Sequence, residues 1–329
     1  MKPVIVFVDD EPNILQGLKR YTRTRRNVWD MHFFERAGDA AALATSEHVD
    51  VVVSDMRMPE INGADLLEQI SSTAPGTIRF ILSGEAELKQ TYRTVGRSHR
   101  FLAKPCDPDG LVKSIEEVLE LRAKLGEDVT KDGLPVFDHL CSPSDVFDEL
   151  ALILDGEEPS INEVLQLVRR DPNLTIRILQ LANSGYFGRP LQTLSIEKAT
   201  TFIGVATLRD LFELKRLGNS NSHINMCDVD VQHYREAAIL ADRIASTAPD
   251  VVDLGSSVAF YATLGALSAI PASQTETLSA AYMAGLFGMP HALTQSLLDL
   301  KTFNLNSSLD ERLDAIRHTA IQPGQRMAG

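Results

Sequence analysis

Five polar side chains in the first third of the chain have the types needed for phosphoryl chemistry. Asp9 and Asp10 follow an apolar run, Asp55 follows another, Ser83 a third, and Lys104 a fourth. Carboxylates that converge on one point favour a hard divalent cation with oxygen ligands, and Mg²⁺ retaining several waters is the natural guest. Two adjacent acids are otherwise costly unless a cation or a basic side chain compensates them. A carboxylate beside such a cation can attack a phosphoryl group and form an acyl phosphate. That transfer needs positioning and neutralisation of the equatorial oxygens. The Lys104 ammonium and the metal provide the charge, and the Ser83 hydroxyl can donate a hydrogen bond to a phosphoryl oxygen.

These residues need elements that bring them to one place. Val4 to Val8 reads as a strand buried on both faces, and Val49 to Val53, apolar apart from Asp50, as another. Met31 to Phe34, Thr77 to Leu82 and Arg100 to Ala103 complete five strands. Between them lie helical stripes: Ile14, Leu15 and Leu18; the alanine-rich run from Asp39; and Ala64 to Ile70. A fourth helix near Leu88 to Val95 is poor in apolar residues, and a long fifth runs from Pro108 to about Leu125. Strands alternating with helices predict a parallel sheet covered on both faces. Ligands in such sheets bind outside the carboxyl ends of the strands, where all five polar residues fall. The first helix has a basic far end of Lys19, Arg20, Arg23, Arg25 and Arg26, readable as a docking patch for an acidic partner or as a solvated helix C-terminus.

The whole set resembles a response-regulator receiver domain over residues 1–125. In that resemblance Asp55 matches the phospho-acceptor, and Asp9 and Asp10 match the acidic pair that holds Mg²⁺ with it. Met58-Pro59 with Gly63 match the loop after the acceptor, Ser83 the switch hydroxyl, and Lys104-Pro105 the lysine with its following proline, often cis. Phe101 matches the aromatic that swings inward once Ser83 moves toward the phosphate. The resemblance implies a flavodoxin-like five-stranded parallel sheet, phosphorylation by a sensor histidine kinase, and Mg²⁺ as cofactor. Arg57, two residues past the acceptor, occupies a position that varies in the family.

The remaining two thirds read differently. At 329 residues the chain has room for two domains with separate cores. Residues 126–133 are polar and read as a linker, 134–321 as an all-α domain, and 322–329 as a disordered tail. Ser160-Ile161-Asn162-Glu163 and Ser308-Leu309-Asp310-Glu311 have the form of capping boxes, and Asp171-Pro172 that of an N-cap followed by Pro at the first helical position. Further helices are expected over about Ser195 to Phe202, Leu208 to Leu217, Val229 to Thr247, Ser256 to Ala269 and Glu276 to Phe287, with Pro290 opening another.

Three functions compete for this half. A metal-dependent phosphohydrolase of the His-Asp type needs converging histidines and a His-Asp dipeptide. His139, His223, His233, His291 and His318 are not followed by Asp, and none share i, i+4 spacing. A helix-turn-helix is imitated by Ile196 to Phe202, Gly204, and Leu208 to Leu214, carrying Arg209, Lys215 and Arg216 but also Asp210 and Glu213. Nucleic acid needs a basic face, yet of the net charge of −13 residues 126–329 carry −11 and residues 1–125 only −2. The third reading is a resemblance to the HD-related output domain, HDOD. It rests on Arg170 to Leu174, on Ile178 to Ser184 with its Ala-Asn-Ser, and on Ala199 to Leu211 around Gly204, roughly residues 134–217. That family shares the helical fold of the His-Asp phosphohydrolases without their full metal-ligand set. The run Phe260 to Ser268 stands where the family often has a Gly-Leu-Leu-His-Asp-like sequence, and the His-Asp is gone.

The expectation is therefore a two-component response regulator whose output is not an enzyme and acts through a protein target, with a homodimer as a further partner. Cys106, Cys141 and Cys227 show no CxxC spacing, which suits a reducing cytoplasm. The chain opens on a strand followed by acids, so no signal peptide is expected, and no apolar run approaches a membrane span.

Overall fold

The computed structural model describes all residues except 1, 85–91, 126–141, 143, 189, 215–216, 218–227, 269–275, 301–302 and 327–329. The linker expected at 126–133, His139, His223, Lys215, Arg216 and the first half of the helix expected near Leu88 to Val95 lie outside the described residues, and Tyr92–Thr94 of its second half form a 3₁₀ turn. The described chain forms two compact units. The first holds the residues up to Glu120 together with Ser184–Pro190, and the second holds the rest.

The first unit is built on five parallel strands: β1 (Val4–Val8), β2 (Asp30–Phe34), β3 (Val51–Asp55), β4 (Ile78–Ser83) and β5 (Arg100–Ala103). Their order is β2-β1-β3-β4-β5. This is the flavodoxin-like arrangement, with a switch point between β1 and β3. The helices are α1 (Pro12–Thr22), α2 (Ala37–Ser46), α3 (Gly63–Thr73) and α4 (Pro108–Leu125), the last turn of which, Leu121–Leu125, counts with the second unit. Central strands have both faces covered, and the residues comply: Ile5 to Phe7 and Val51 to Val52 are fully buried. Val8 lies beside Ser54, and Asp55 beside Leu82, so β1 and β3 end level with each other. That register brings Asp9 and Asp55 to neighbouring positions on one edge.

The second unit is helical throughout its described residues: α5 (Ser144–Asp155), α6 (Ile161–Arg170), α7 (Pro172–Asn183), α8 (Ile196–Ile203), α9 (Val205–Glu213), α10 (Asp228–Thr247), α11 (Val252–Ser268), α12 (Glu276–Leu286), α13 (His291–Asp299) and α14 (Leu309–Arg326). Helix α11 packs against α7, α10, α12, α13 and α14. It is apolar on nearly every side, as a central helix must be, and Val258 to Ala262 are all buried.

Local signals explain most of the boundaries. Asp171 Oδ1 accepts from the backbone N–H groups of Asn173 (2.8 Å) and Leu174 (3.3 Å), capping α7. Ser308 and Glu311 form the reciprocal capping box, with Ser308 N to Glu311 Oε2 at 3.0 Å and Glu311 N to Ser308 Oγ at 3.3 Å. Ser160 takes the N-cap position of α6 in extended backbone, but its side chain makes no capping bond. Gly204, at φ +77°, lets α9 restart at once after α8, so α9 begins at Val205 rather than Leu208. Helix α14 runs to Arg326, past the end expected at 321. Pro323 and Gly324 fall near its end, where few helical bonds remain to be lost.

Candidate functional site

Each acid stands at the end of a strand it could not occupy further in. Asp9 follows β1 and is fully buried, Asp10 is half-buried, and Asp55, the last residue of β3, is 5% exposed. Oxygen atoms of all three lie within 4.8 Å of one another. This donor set fits a hard divalent cation: three carboxylates, with no nitrogen or sulfur among them.

Lys104, just past β5, closes the site from the other edge. Its Nζ lies 2.6 Å from Asp55 Oδ1 and 3.1 Å from Asp9 Oδ2. The remaining carboxylate oxygens are held by the backbone: Glu11 N donates to Asp9 Oδ1 at 2.9 Å, and Arg57 N to Asp55 Oδ2 at 3.1 Å. Burial pushes Asp55 above the usual carboxylate range, against the hydrogen bond and charge of Lys104, while the Asp9 charge pushes the same way as burial. Burial alone would lower Lys104, but Asp55 and Asp9 outweigh it and raise the ammonium pKa.

The Lys104–Pro105 peptide bond is cis, and Lys104 N donates to Ser83 O at 2.9 Å. Ser83 ends β4, its hydroxyl 3.4 Å from Gly84 O. The loop after the acceptor closes through Gly63, whose N–H donates to Met56 O at 2.9 Å. A Cβ at Gly63 would stand 2.2 Å from the Asp55 carbonyl oxygen and 2.7 Å from Ile81, so only glycine fits. Phe101 is buried (4% exposed), its ring edge-on to Tyr186 at 5.3 Å. Tyr186 in turn stacks on Tyr92 at 5.4 Å. These two tyrosines carry no motif, and their stacking next to Phe101 through Tyr186 was not visible in the sequence.

Every site residue expected in the first third, Asp9, Asp10, Asp55, Ser83, Phe101 and Lys104, thus stands at or just past the carboxyl end of the sheet, except that Phe101 lies inside β5. In the second unit, His233 is half-buried and His291 and His318 are exposed. None of these three belongs to a group of potential metal ligands among the described residues, where the group found is Asp9, Asp10 and Asp55. The helix-turn-helix imitation is also altered by its surroundings. Arg209 donates from Nε to Leu154 O (2.7 Å) and from Nη2 to Gly156 O (2.8 Å), so its guanidinium is spent on the end of α5.

A doubly wound parallel sheet with three carboxylates and a lysine at its switch point is the arrangement expected of a response-regulator receiver. Comparison with known proteins agrees: residues 5–116 match the response regulator receiver domain and residues 140–287 the HDOD domain. The chain is a two-component response regulator with receiver and HDOD domains. It is 26% identical over 193 residues to the hydrogenase transcriptional regulatory protein HoxA of Bradyrhizobium diazoefficiens, covering 55% of this chain and 39% of that protein. It is 27% identical over 131 residues to the transcriptional regulatory protein GlrR of Escherichia coli K12, covering 40% and 29%. The chain therefore spans well under half the length of these two relatives. Among solved structures, the signal receiver domain of an HD domain-containing protein from Pseudomonas fluorescens Pf-5 is 31% identical, covering 38% of this chain and 99% of that one, at a TM-score of 0.35. Among the described residues no helix is long and apolar enough to cross a membrane.

Proposed function

We propose that Asp55 is phosphorylated by a sensor histidine kinase in an Mg²⁺-dependent reaction, and that this controls an output domain acting by protein contact rather than catalysis. The observation that carries the reading is the meeting of three carboxylates with Lys104, which lies 2.6 Å from Asp55 and 3.1 Å from Asp9. In the proposed step an Asp55 carboxylate oxygen attacks the phosphorus of a phosphohistidine. The new P–O bond forms as the P–N bond breaks, and the departing imidazole keeps the electron pair and takes up a proton. Lys104 moves from pairing with Asp55 to holding a phosphoryl oxygen, and Ser83 donates its hydroxyl to another. Mg²⁺ held by Asp9, Asp10 and Asp55 supplies further neutralisation of phosphoryl charge. The receiver is taken as residues 1–125 and the output domain as 134–321, in a cytoplasmic protein.

The non-catalytic reading of the output domain is supported by the run Phe260 to Ser268, which lacks His-Asp and supplies the buried apolar core of α11 instead. The net charge of −11 on residues 126–329 and the engaged Arg209 support a protein rather than a nucleic-acid target.

Incubation with acetyl phosphate and Mg²⁺ is expected to give an acid-labile phosphate that is absent in Asp55→Asn and in EDTA. An adduct that survives Asp55→Asn would sink the assignment. Turnover of a cyclic dinucleotide with Mn²⁺ or Fe²⁺ would overturn the non-catalytic output.

A further inference from the structure

Two surfaces of this chain that the proposed function leaves unused are complementary to each other. The first lies between α5 and α6, where residues 149–170 enclose an open groove of about 600 Å³. Its apolar part is made by Leu152, Ile153 and Leu167, and Leu152 is 78% exposed on α5. Its rim carries Glu157, Glu158 and Glu163. None of these three glutamates forms a salt bridge with a described residue, whereas Arg170 at the far end is taken by Glu149 at 3.4 Å. The groove is a built feature: the Arg209 bonds to Leu154 O and Gly156 O pin the turn that presents the glutamates.

The second surface is the basic end of α1. Arg25 is tied to Glu116 at 2.6 Å, and Lys19 lies over the Phe33 ring at 5.1 Å. Arg20, Arg23 and Arg26 are exposed and have no acidic partner among the described residues. Tyr21 and Val28, each 54% exposed, stand among them. The stretch is rigid, because Val28 N and Trp29 N both donate to Arg25 O and Trp29 is buried. A preorganised surface loses little freedom on binding. One surface thus offers unpaired cations around two exposed apolar side chains, and the other unpaired anions around an exposed leucine.

We propose that the acidic groove between α5 and α6 of one copy of this chain receives the Arg20–Val28 stretch of a second copy. Exposed Leu152 packs on Tyr21 or Val28, and the glutamates of the rim face Arg20, Arg23 and Arg26. The contact joins two different patches, so copies either close on themselves, as a reciprocal pair or a ring, or extend as an open chain. Charge sets its register and encounter rate, and salt weakens it.

The test is the mass of the full-length protein by sedimentation equilibrium over a range of concentrations at low and high salt. Mass is expected to rise with concentration and to fall as NaCl screens the contact. Glu157→Lys with Glu158→Lys, and separately Arg20→Glu with Arg23→Glu, should each weaken association by at least about tenfold. All four residues are exposed, and circular dichroism checks that each variant is folded. An equimolar mixture of the two double variants should associate again, because each then meets a surface of opposite charge. A protein that stays monomeric at every concentration overturns the proposal. So does association that neither double variant weakens, or double variants whose mixture fails to associate.

Discussion

Lys104 is the residue on which the electrostatics of the site turn. Asp9 is fully buried and Asp55 nearly so, and Lys104 is the side chain that lies between them. Replacing it by Met leaves two facing carboxylates without their cation, which costs about 3–5 kcal/mol by analogy with broken buried pairs. Urea unfolding should show that loss, and added Mg²⁺ should restore a larger share of stability in Lys104→Met than in the unsubstituted protein. A gain in stability on substitution would mean that Lys104 does not compensate the acids. Gly63→Ala tests the acceptor loop instead. Its Cβ meets the Asp55 backbone as well as the Ile81 side chain, and only the side chain can give way alone, so relief requires moving Asp55 itself. Expected is a stability loss of about 1–3 kcal/mol together with a slower rate of phosphorylation by acetyl phosphate. An unchanged rate would show that the loop does not position the acceptor.

At the scale of elements, Asp171 shows how one residue can fix a helix and still carry a cost. It caps α7 and is fully buried. Burial raises its pKa from 3.8 to about 6, against the Ser142 hydroxyl and the N–H groups of Leu174 and Asn173. With a folded pKa above the unfolded one, the folded state binds more protons between about pH 4 and pH 6. Stability therefore falls as pH rises through that window and is flat above it, a contribution of about 3 kcal/mol. Asp171→Asn keeps an oxygen acceptor for the cap and removes the titration. Thermal unfolding of the two proteins should differ most above pH 6, in favour of Asn, and converge near pH 4; parallel curves across the range would refute the assignment. Capping signals were legible in the sequence to different depths. Asp171 and Ser308 make the bonds their positions suggest, while Ser160 has the position without the bond, because a cap also requires a side-chain rotamer that spacing does not specify.

For the whole molecule, a divalent ion taken up by the proposed Asp9, Asp10 and Asp55 site would link its binding to stability. A ligand that binds only the folded state stabilises by about 2.7 kcal/mol at a hundredfold excess over its Kd. Mg²⁺ should raise the melting temperature of the full chain, and Asp10→Asn should abolish most of that rise, since Asp10 belongs to the proposed ion site while Lys104 pairs with Asp9 and Asp55. A rise retained in Asp10→Asn would place the ion elsewhere.

The receiver could be read almost entirely from its sequence, because strands buried on both faces are continuous apolar runs and a parallel sheet carries whatever follows them to one edge. Asp9, Asp55, Ser83 and Lys104 are far apart in the chain yet adjacent by that topology alone. The all-α character of the second half was also legible in its stripes and caps. Only the tertiary structure decided what depends on contacts between distant residues with no periodic signature. The packing of Tyr186 on Phe101 with Tyr92 stacked behind it, the commitment of Arg209 to carbonyls at the end of α5, and the groove beside Leu152 are of this kind. Periodicity tells which face of an element is buried; packing alone determines which partner buries it.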